Sequence, residues 1–496
     1  MAIKPDTLRR LLIVWTLALA FYQFSENTAD IDLWAHTLFG QQLLHTGVVQ
    51  KTEIFSWTAR GQPWINHEVL SEVALGAAHR IGGGPGILAL KILVGFLTLG
   101  IAVRLGGRSA WLLAPLAVVE ISFGFAARPQ IFTALGLAVE FWLLRQVYEG
   151  RKLWALALPA IFVLWINTHG GALAGLALLF AALGANVLER RAPLILWIAT
   201  ALSGAAMLAN PWGFALPRSI VEADMWNRSA IQEWHATPLG WDHAAMFILL
   251  ALTVVSFWLS RLKRAYWEMA ACGVLAVLAL KTVRHTPLFS IAALSFAPPH
   301  FADALDRFHA QLSELQRKAA AIFLATTAPV IFAAAFFLHK EHPLTMEVPR
   351  NEYPMEAIAY IKRTHLRGNA LTFFDWGELC LWELPDTSVS MDGRLDTCYS
   401  YPLIEEHWKF YNGESVNTNL LNIDAADFAL LPANLAGTAA LAARPGWRVM
   451  YVDKLAAVLA RRPPPSLAPE QGSPAATTGS DSFPNKPSPR VYKPVG

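Results

Sequence analysis

Eleven apolar stretches, most of them close to the length of a bilayer-crossing helix, leave this chain few folds to choose from. A helix rises about 1.5 Å per residue, so crossing a hydrocarbon core takes about 20 mostly apolar residues, with a range of about 17–25. The windows are Leu8–Phe24, Gly86–Val103, Ala110–Ala126, Ile131–Val147, Leu153–Asn167, Gly171–Leu188, Pro193–Ala209, Ala244–Leu259, Tyr266–Val283, Thr286–Ala297 and Ala319–Leu338, the tenth being short. Composition agrees: 54% of residues are hydrophobic and 16% charged, where a soluble domain carries about 25% charged residues. The 19 tryptophans suit a chain with many water–lipid boundaries. The expected architecture is an α-helical polytopic membrane protein of about 11 spans. No small-residue cleavage site follows the first apolar core, so it reads as a retained span and not a removed signal.

Positive charge gives the orientation. With Lys4, Arg9 and Arg10 on the cytoplasmic side, alternate loops should be basic. Arg104/Arg108, Arg145/Arg151/Lys152, Arg190/Arg191, Arg261/Lys263/Arg264 and Arg307/Arg317/Lys318 all fall where that rule requires. The opposite loops hold most of the residues capable of chemistry, among them Asp30, Asp32, His36, His67, Glu68, Arg128, His169, Glu233, Arg284 and His285. Several stand at helix ends, where charge is costly unless it has a use. The chain is therefore expected to be multi-pass, with its N-terminus cytoplasmic and its C-terminal region outside the cytoplasm.

From about Tyr353 the pattern alternates. Pro354–His365 is amphipathic, and Asn369–Phe374, Ser388–Met391, Phe428–Leu431, Arg448–Val452 and Ala456–Ala460 read as strands, which predicts a small α/β domain. The expected division is a membrane domain over 1–340 with a long first periplasmic loop at 25–81, an α/β domain over 341–462, and a disordered Pro/Ser-rich tail over 463–496. Of three cysteines, Cys272 sits in an apolar run, and Cys380 and Cys398 share the C-terminal region, where one disulfide is an option. A net charge of +3 with no basic-aromatic cluster argues against a nucleic-acid partner.

Asp30-Ile31-Asp32, just beyond the first span, is the most pointed chemical signal. Two carboxylates two residues apart on extended backbone share one side. They can hold Mg2+ or Mn2+, hard ions that take oxygen ligands and bridge to phosphate, or one of them can take a proton from a hydroxyl. Asp-x-Asp alone also occurs by chance, and placement at a span end is what strengthens it. His67-Glu68 can orient a substrate or simply cap a surface helix. Arg128-Pro129 can end a helix or meet an anion, since proline restrains its predecessor. His169-Gly170-Gly171 reads as a tight turn or a site, and Asp392-Gly393-Arg394 as a turn with a structural ion pair.

These residues fall into a pattern: Asp30-x-Asp32-Leu33-Trp34-x-His36, then Phe55-Ser56-x-Thr58-x-x-Gly61-x-x-Trp64-x-x-His67-Glu68. Arg128-Pro129-Gln130, Trp165-x-Asn167-x-His169-Gly170-Gly171, Asn210-Pro211-Trp212-Gly213, Glu233-Trp234, Arg284-His285-x-Pro287, Trp376-Gly377 and Asp392-Gly393-Arg394 continue it. The chain resembles a bacterial family related to the GT-C glycosyltransferases, multi-spanning enzymes that use lipid-phosphate-linked sugars. The resemblance covers nearly all of the chain except the tail. It departs at Glu378, where glycine is common after Trp-Gly. It implies transfer of a sugar from a polyprenyl-phosphate-linked donor to a glycan, lipid or protein acceptor at the extracytoplasmic face, with inversion. Asp30 and Asp32 are then the expected catalytic or metal-holding pair, with His36, His67, Glu68, Arg128, His169, Arg284 and His285 binding substrate. The competing expectation is a glycan or lipid transporter, or a non-catalytic binding protein of the envelope. Transporters place ionisable groups near the midplane, and Lys91, Glu120 and Glu140 lie inside apolar windows.

Overall fold

The computed structural model describes residues 4–225, 232–308, 312–338, 340–463, 467–473 and 477–490. The first part of the chain forms helices α1 (Pro5–Phe24), α2 (Leu33–Thr46), α3 (Val69–Gly106), α4 (Ala110–Ser122), α5 (Gln130–Tyr148), α6 (Ala157–Ile166), α7 (Ala172–Leu188), α8 (Leu194–Ala206), α9 (Ala215–Met225), α10 (Ala244–Leu259), α11 (Tyr266–Lys281), α12 (Thr286–Arg307) and α13 (Glu314–Phe337). The second part forms β1 (Glu347–Pro349), α14 (Met355–Arg363), β2 (Gly368–Thr372), α15 (Gly377–Glu383), β3 (Thr387–Val389), α16 (Tyr401–Tyr411), β4 (Phe428–Pro432), α17 (Ala436–Ala442), β5 (Trp447–Val452), β6 (Ala456–Arg461), β7 (Glu470–Gln471) and β8 (Ser480–Ser482).

Each of the eleven apolar windows overlaps a helix, although α4 and α8 end before their windows do and Leu153–Asn167 begins in a 3-10 turn ahead of α6. Among the described residues, five helical runs are both long and apolar enough to cross a membrane: Val69–Ser122, Gln130–Tyr148, Trp241–Leu259, Val283–Arg307 and Glu314–Phe337. Shorter apolar helices cover Lys152–Ile166, Ala172–Leu188 and Leu194–Ala206.

The chain divides into two compact units. One comprises Met1–Glu26 and Ala89–Pro343, the other Asn27–Leu88 and Leu344–Gly496. In the first, α12 is the buried centre, with Phe289, Ile291, Ala292, Ala293 and Leu294 fully enclosed, and α4, α10 and α11 pack around it. α1 lies along α13, and the Trp15 indole donates to Thr327 Oγ1 at 2.9 Å. The last carbonyls of a helix lack intrahelical donors; Lys340 Nζ donates to Ser25 O and Lys91 Nζ to Glu26 O just past the end of α1. Leu164, Val254, Val277 and Val330 point outward, as an apolar solvent permits.

The second unit is built on a six-stranded sheet of order β3-β2-β4-β6-β5-β7. β2 runs parallel to β3 and β4, whereas β6 is antiparallel to both β4 and β5. All five strands and the helix expected between 354 and 460 are present. The first long loop belongs to this unit: Val389 N donates to Phe55 O at 3.2 Å and Trp57 N to Val389 O at 3.0 Å, which extends the sheet edge beyond β3.

A buried ion cluster locks the loop in place. Arg394 binds Asp392 through two nitrogens at 2.9 and 2.7 Å and also donates to Glu53. Its guanidinium sits 4.8–5.3 Å from the rings of Trp64, Phe55 and Phe39. Glu53 Oε1 accepts the amides of Phe55 and Ser56 at 2.5 Å. Removing one member of such a buried set strands the others, at about 3–5 kcal/mol. The three cysteines are free thiols, all buried.

The tail departs from the expectation of disorder where it is described. β8 pairs with β1, and Phe483 is buried against Trp34 with ring centroids 4.5 Å apart. Arg490 donates to the carbonyls of Leu381, Leu384 and Thr387. One aromatic and one arginine anchor the segment, a signal that averaging over Pro/Ser-rich composition hides.

Candidate functional site

In the second unit, Asp30 and Asp32 lead into α2. Asp32 occupies its N-cap position, its own amide donates to Asp30 Oδ1 at 3.0 Å, and both aspartates are half-buried. A carboxylate at a helix N-terminus is favoured by the helix dipole. The surrounding order comes from a close helix crossing. A Cβ on Gly40 would stand 1.8 Å from Glu72 O, and one on Gly76 2.6 Å from the Gly40 carbonyl carbon, so only glycines let α2 and α3 touch here. His36 lies one turn before Gly40, and Glu72 one turn before Gly76. The crossing therefore brings His36 Nδ1 to 3.7 Å from Glu72 Oε1 and 3.9 Å from Glu68 Oε2. Asn66 Nδ2 holds the other Glu72 oxygen at 2.8 Å, and His67 Nε2 is 3.6 Å from Glu68 Oε1. Burial alone would depress the His36 pKa, but Glu68, Glu72 and Asp32 outweigh it and push it up to about 9.

Glu378 completes this group. It is buried, accepts the Ala35 amide at 3.3 Å, and faces Gly393 together with Asp32. A Cβ on Gly393 would stand 2.5 Å from Asp32 Oδ1 and 2.7 Å from Glu378 Oε1, so the glycine leaves room for both carboxyls. Burial, then the charges of Asp32 and Asp392, push Glu378 well above the usual carboxylate range. That direction favours the neutral form of the Glu378 carboxyl.

In the first unit, four short segments converge. Arg128 precedes α5, His169 lies between α6 and α7, Glu233 is in a turn, and Arg284 stands between α11 and α12. Glu233 lies 3.2 Å from Arg284 Nη1 and 3.7 Å from Arg128 Nη1, and the Arg284 guanidinium is 5.1 Å from the Trp234 ring. Arg284 Nη2 is 3.5 Å from His169 Nε2. His285 turns away to the Thr282 hydroxyl. Lys91 pairs with Glu26, and Glu120 with His243 at 3.0 Å.

The residues singled out from sequence thus fall into two clusters. Asp30, Asp32, His36, His67 and Glu68 gather in one unit; Arg128, His169 and Arg284 gather in the other. Glu72 and Glu378 were not singled out. For Glu72 the available signal was helical spacing, a carboxylate one turn from a glycine, mirroring His36 and Gly40. Asp30 and Asp32 offer a metal two carboxylates, but the described residues bring together no group of three His, Cys, Asp or Glu that could hold one.

No family model and no curated protein matches the sequence. Among solved structures, the chain is similar to the oligosaccharyltransferase of Archaeoglobus fulgidus in its apo form, with TM-score 0.59, 11% identity, and 86% of this chain and 70% of that one covered. It is similar to the same organism's oligosaccharyltransferase AglB in complex with an inhibitory peptide and a dolichol-phosphate, at TM-score 0.58, 11% identity and coverages of 86% and 69%. ArnT from Cupriavidus metallidurans bound to undecaprenyl phosphate gives TM-score 0.53 at 14% identity, covering 94% of this chain and 98% of that one. A further structure of the A. fulgidus enzyme is a complex with Zn and sulfate. The protein has the fold of the GT-C glycosyltransferases: a multi-pass helical membrane protein with a small sheet-containing C-terminal region.

Proposed function

We propose that this chain is a membrane glycosyltransferase. It moves a sugar from a polyprenyl-phosphate-linked donor to an acceptor hydroxyl at the extracytoplasmic face of a bacterial inner membrane. The N-terminus is cytoplasmic and the C-terminal region periplasmic, as the basic loops require. The observation that carries the reading is the pair of half-buried aspartates, with Asp32 and the buried Glu378 carboxyl both facing Gly393, set in a GT-C fold. That ArnT and AglB have each been captured with a polyprenyl phosphate supports the donor class.

The chemistry is a direct displacement with inversion. The acceptor O–H gives its proton to Asp30 or Asp32 as its oxygen bonds to the anomeric carbon, and the bond from that carbon to the phosphate oxygen breaks with its electron pair leaving on phosphate. In the second unit, His36, His67 and Glu68 stand beside the aspartates to orient the acceptor; in the first unit, Arg128 and Arg284 offer positive charge to a phosphate. Among the described residues no group of three His, Cys, Asp or Glu could hold a metal, and the step is written for the side chains alone; chelation tests for Mg2+ or Mn2+ at Asp30 and Asp32.

The test is sugar transfer by purified protein from defined polyprenyl-phosphate sugars. Asp30→Asn and Asp32→Asn should each lower the rate at least a hundredfold while folding normally. Unchanged transfer in both variants removes the aspartates from the mechanism, and loss of transfer with EDTA assigns them a metal. Tight donor binding without turnover by the wild type would favour transport or binding instead.

A further inference from the structure

The ion cluster around Arg394 and the one around Glu233 are built on opposite rules. In the first, two carboxylates share one guanidinium, and the side chains of Glu53, Asp392 and Arg394 are 0%, 0% and 6% exposed. The Glu233 cluster, within the first unit, reverses the count: two guanidinium groups share one carboxylate. Glu233 Oε1 is 3.2 Å from Arg284 Nη1 and Oε2 is 3.7 Å from Arg128 Nη1. Each of these contacts is single, and the side chains of Glu233, Arg284 and Arg128 are 33%, 26% and 17% exposed. Buried ion clusters hold only by close, complete pairing. An open one with cations in excess suits an anion from outside, and arginine suits phosphate above all.

Trp234 supports the same use. Its ring lies 5.1 Å from the Arg284 guanidinium, so two consecutive residues of one short turn hold that arginine from two sides. Yet an arginine pair would hold any phosphate more tightly without a carboxylate between its members. Charge supplies a reason for Glu233. Two positive charges and one negative leave one net positive charge. A sugar donor linked through a phosphodiester carries one negative charge, whereas the phosphomonoester left after transfer carries about 1.5–2 at pH 7. Coulombic attraction scales with the product of the charges. Doubling the positive charge of the site would therefore double the lead of the monoester over the diester.

We propose that Glu233 sets the charge selectivity of the arginine pair: it about halves the electrostatic lead of the phosphomonoester product over the phosphodiester donor, and so lets the spent lipid leave. Naming the two ligands as product and donor rests on the lipid-phosphate reading above. The charge count rests on the cluster alone.

Binding to the full-length protein in nanodiscs of neutral lipid decides it. The probes are undecaprenyl phosphate and its methyl ester, which share a chain and differ by one charge, and methyl phosphate and dimethyl phosphate, which lack the chain. The ratio of monoester to diester affinity is the readout, because the chain and the arginine donors are common to both. At pH 7.5 Glu233→Gln should raise this ratio about tenfold, whereas Glu233→Asp, which keeps the charge, should leave it near the wild-type value. At pH 5 the monoester has lost its second charge, and the wild-type ratio should fall toward one. It should do so whatever the charge on His169, 3.5 Å from Arg284 Nη2, or on the adjoining His285, since ligands of equal charge feel them alike. This arm needs no variant and holds even where Glu233→Gln does not fold. A ratio unchanged in folded Glu233→Gln, or raised equally by Glu233→Asp, overturns the proposal, as does a wild-type ratio indifferent to pH. Chain-free probes that bind as tightly as the lipids would assign the site to soluble phosphate esters and overturn the role in lipid release. If the wild type binds none of the four probes, the lipid-phosphate reading falls and takes the proposal with it. If it binds the lipids and only the ratios fail, the proposal falls alone.

Discussion

Glu378 and His36 are both shifted toward holding a proton, for opposite reasons. In Glu378, burial and neighbouring anions disfavour the charge; in His36, neighbouring anions favour it over burial. The Glu378 carboxyl binds a proton more tightly folded than unfolded, so its contribution to stability declines as pH rises above the ordinary carboxylate range. Glu378→Gln keeps the shape and needs no proton. It should match the wild type in thermal unfolding at pH 5 and be at least as stable at pH 8; a clear loss at pH 8 would mean the carboxylate is ionised. For His36 the folded pKa of about 9 exceeds the ordinary 6.5. Its contribution is complete below the lower value and vanishes as pH climbs through the upper one. The stability difference between wild type and His36→Gln should therefore shrink between those two values, and a difference independent of pH would refute the charged imidazole.

At the scale of elements, the aspartates owe their setting to a helix crossing that tolerates no side chain. Gly40→Ala places a methyl against the Glu72 carbonyl, and overpacking of this kind costs about 1–3 kcal/mol. The helices should separate, His36 and Glu72 should part, and the unfolding midpoint should fall; Gly82→Ala, where no atom lies within 4 Å of the added carbon and the backbone is not left-handed, is the steric control. This crossing was illegible in sequence because a glycine in an apolar helix has many uses. The spans were legible, since about 20 apolar residues have one plain meaning. So were the strands of the sheet, from their short apolar runs between turn residues. Glu378 could be read only as a departure from a pattern, because its role depends on Asp32 and Gly393, both distant in sequence.

At the scale of the whole molecule, the second unit is assembled from two separated stretches of chain. Asp30, His36 and Glu53 are in the earlier stretch; Glu378, Asp392 and Arg394 are in the later one. A chain ended at Pro343 should leave the earlier stretch without its partners, so limited proteolysis in detergent should cut between residues 47 and 68 there and spare the full-length protein. Protection of the shortened chain would show that the earlier stretch folds alone. On the ribosome the order of events follows from the same division. At about 5–20 residues per second, the earlier stretch waits on the order of tens of seconds for the later one. Throughout that wait Glu53 has no Arg394 and Trp34 no Phe483. A chain that stalls within the intervening helices is left with an open, aromatic-rich segment for proteases to find, so synthesis of the C-terminal stretch serves as a proofreading step for the whole polypeptide.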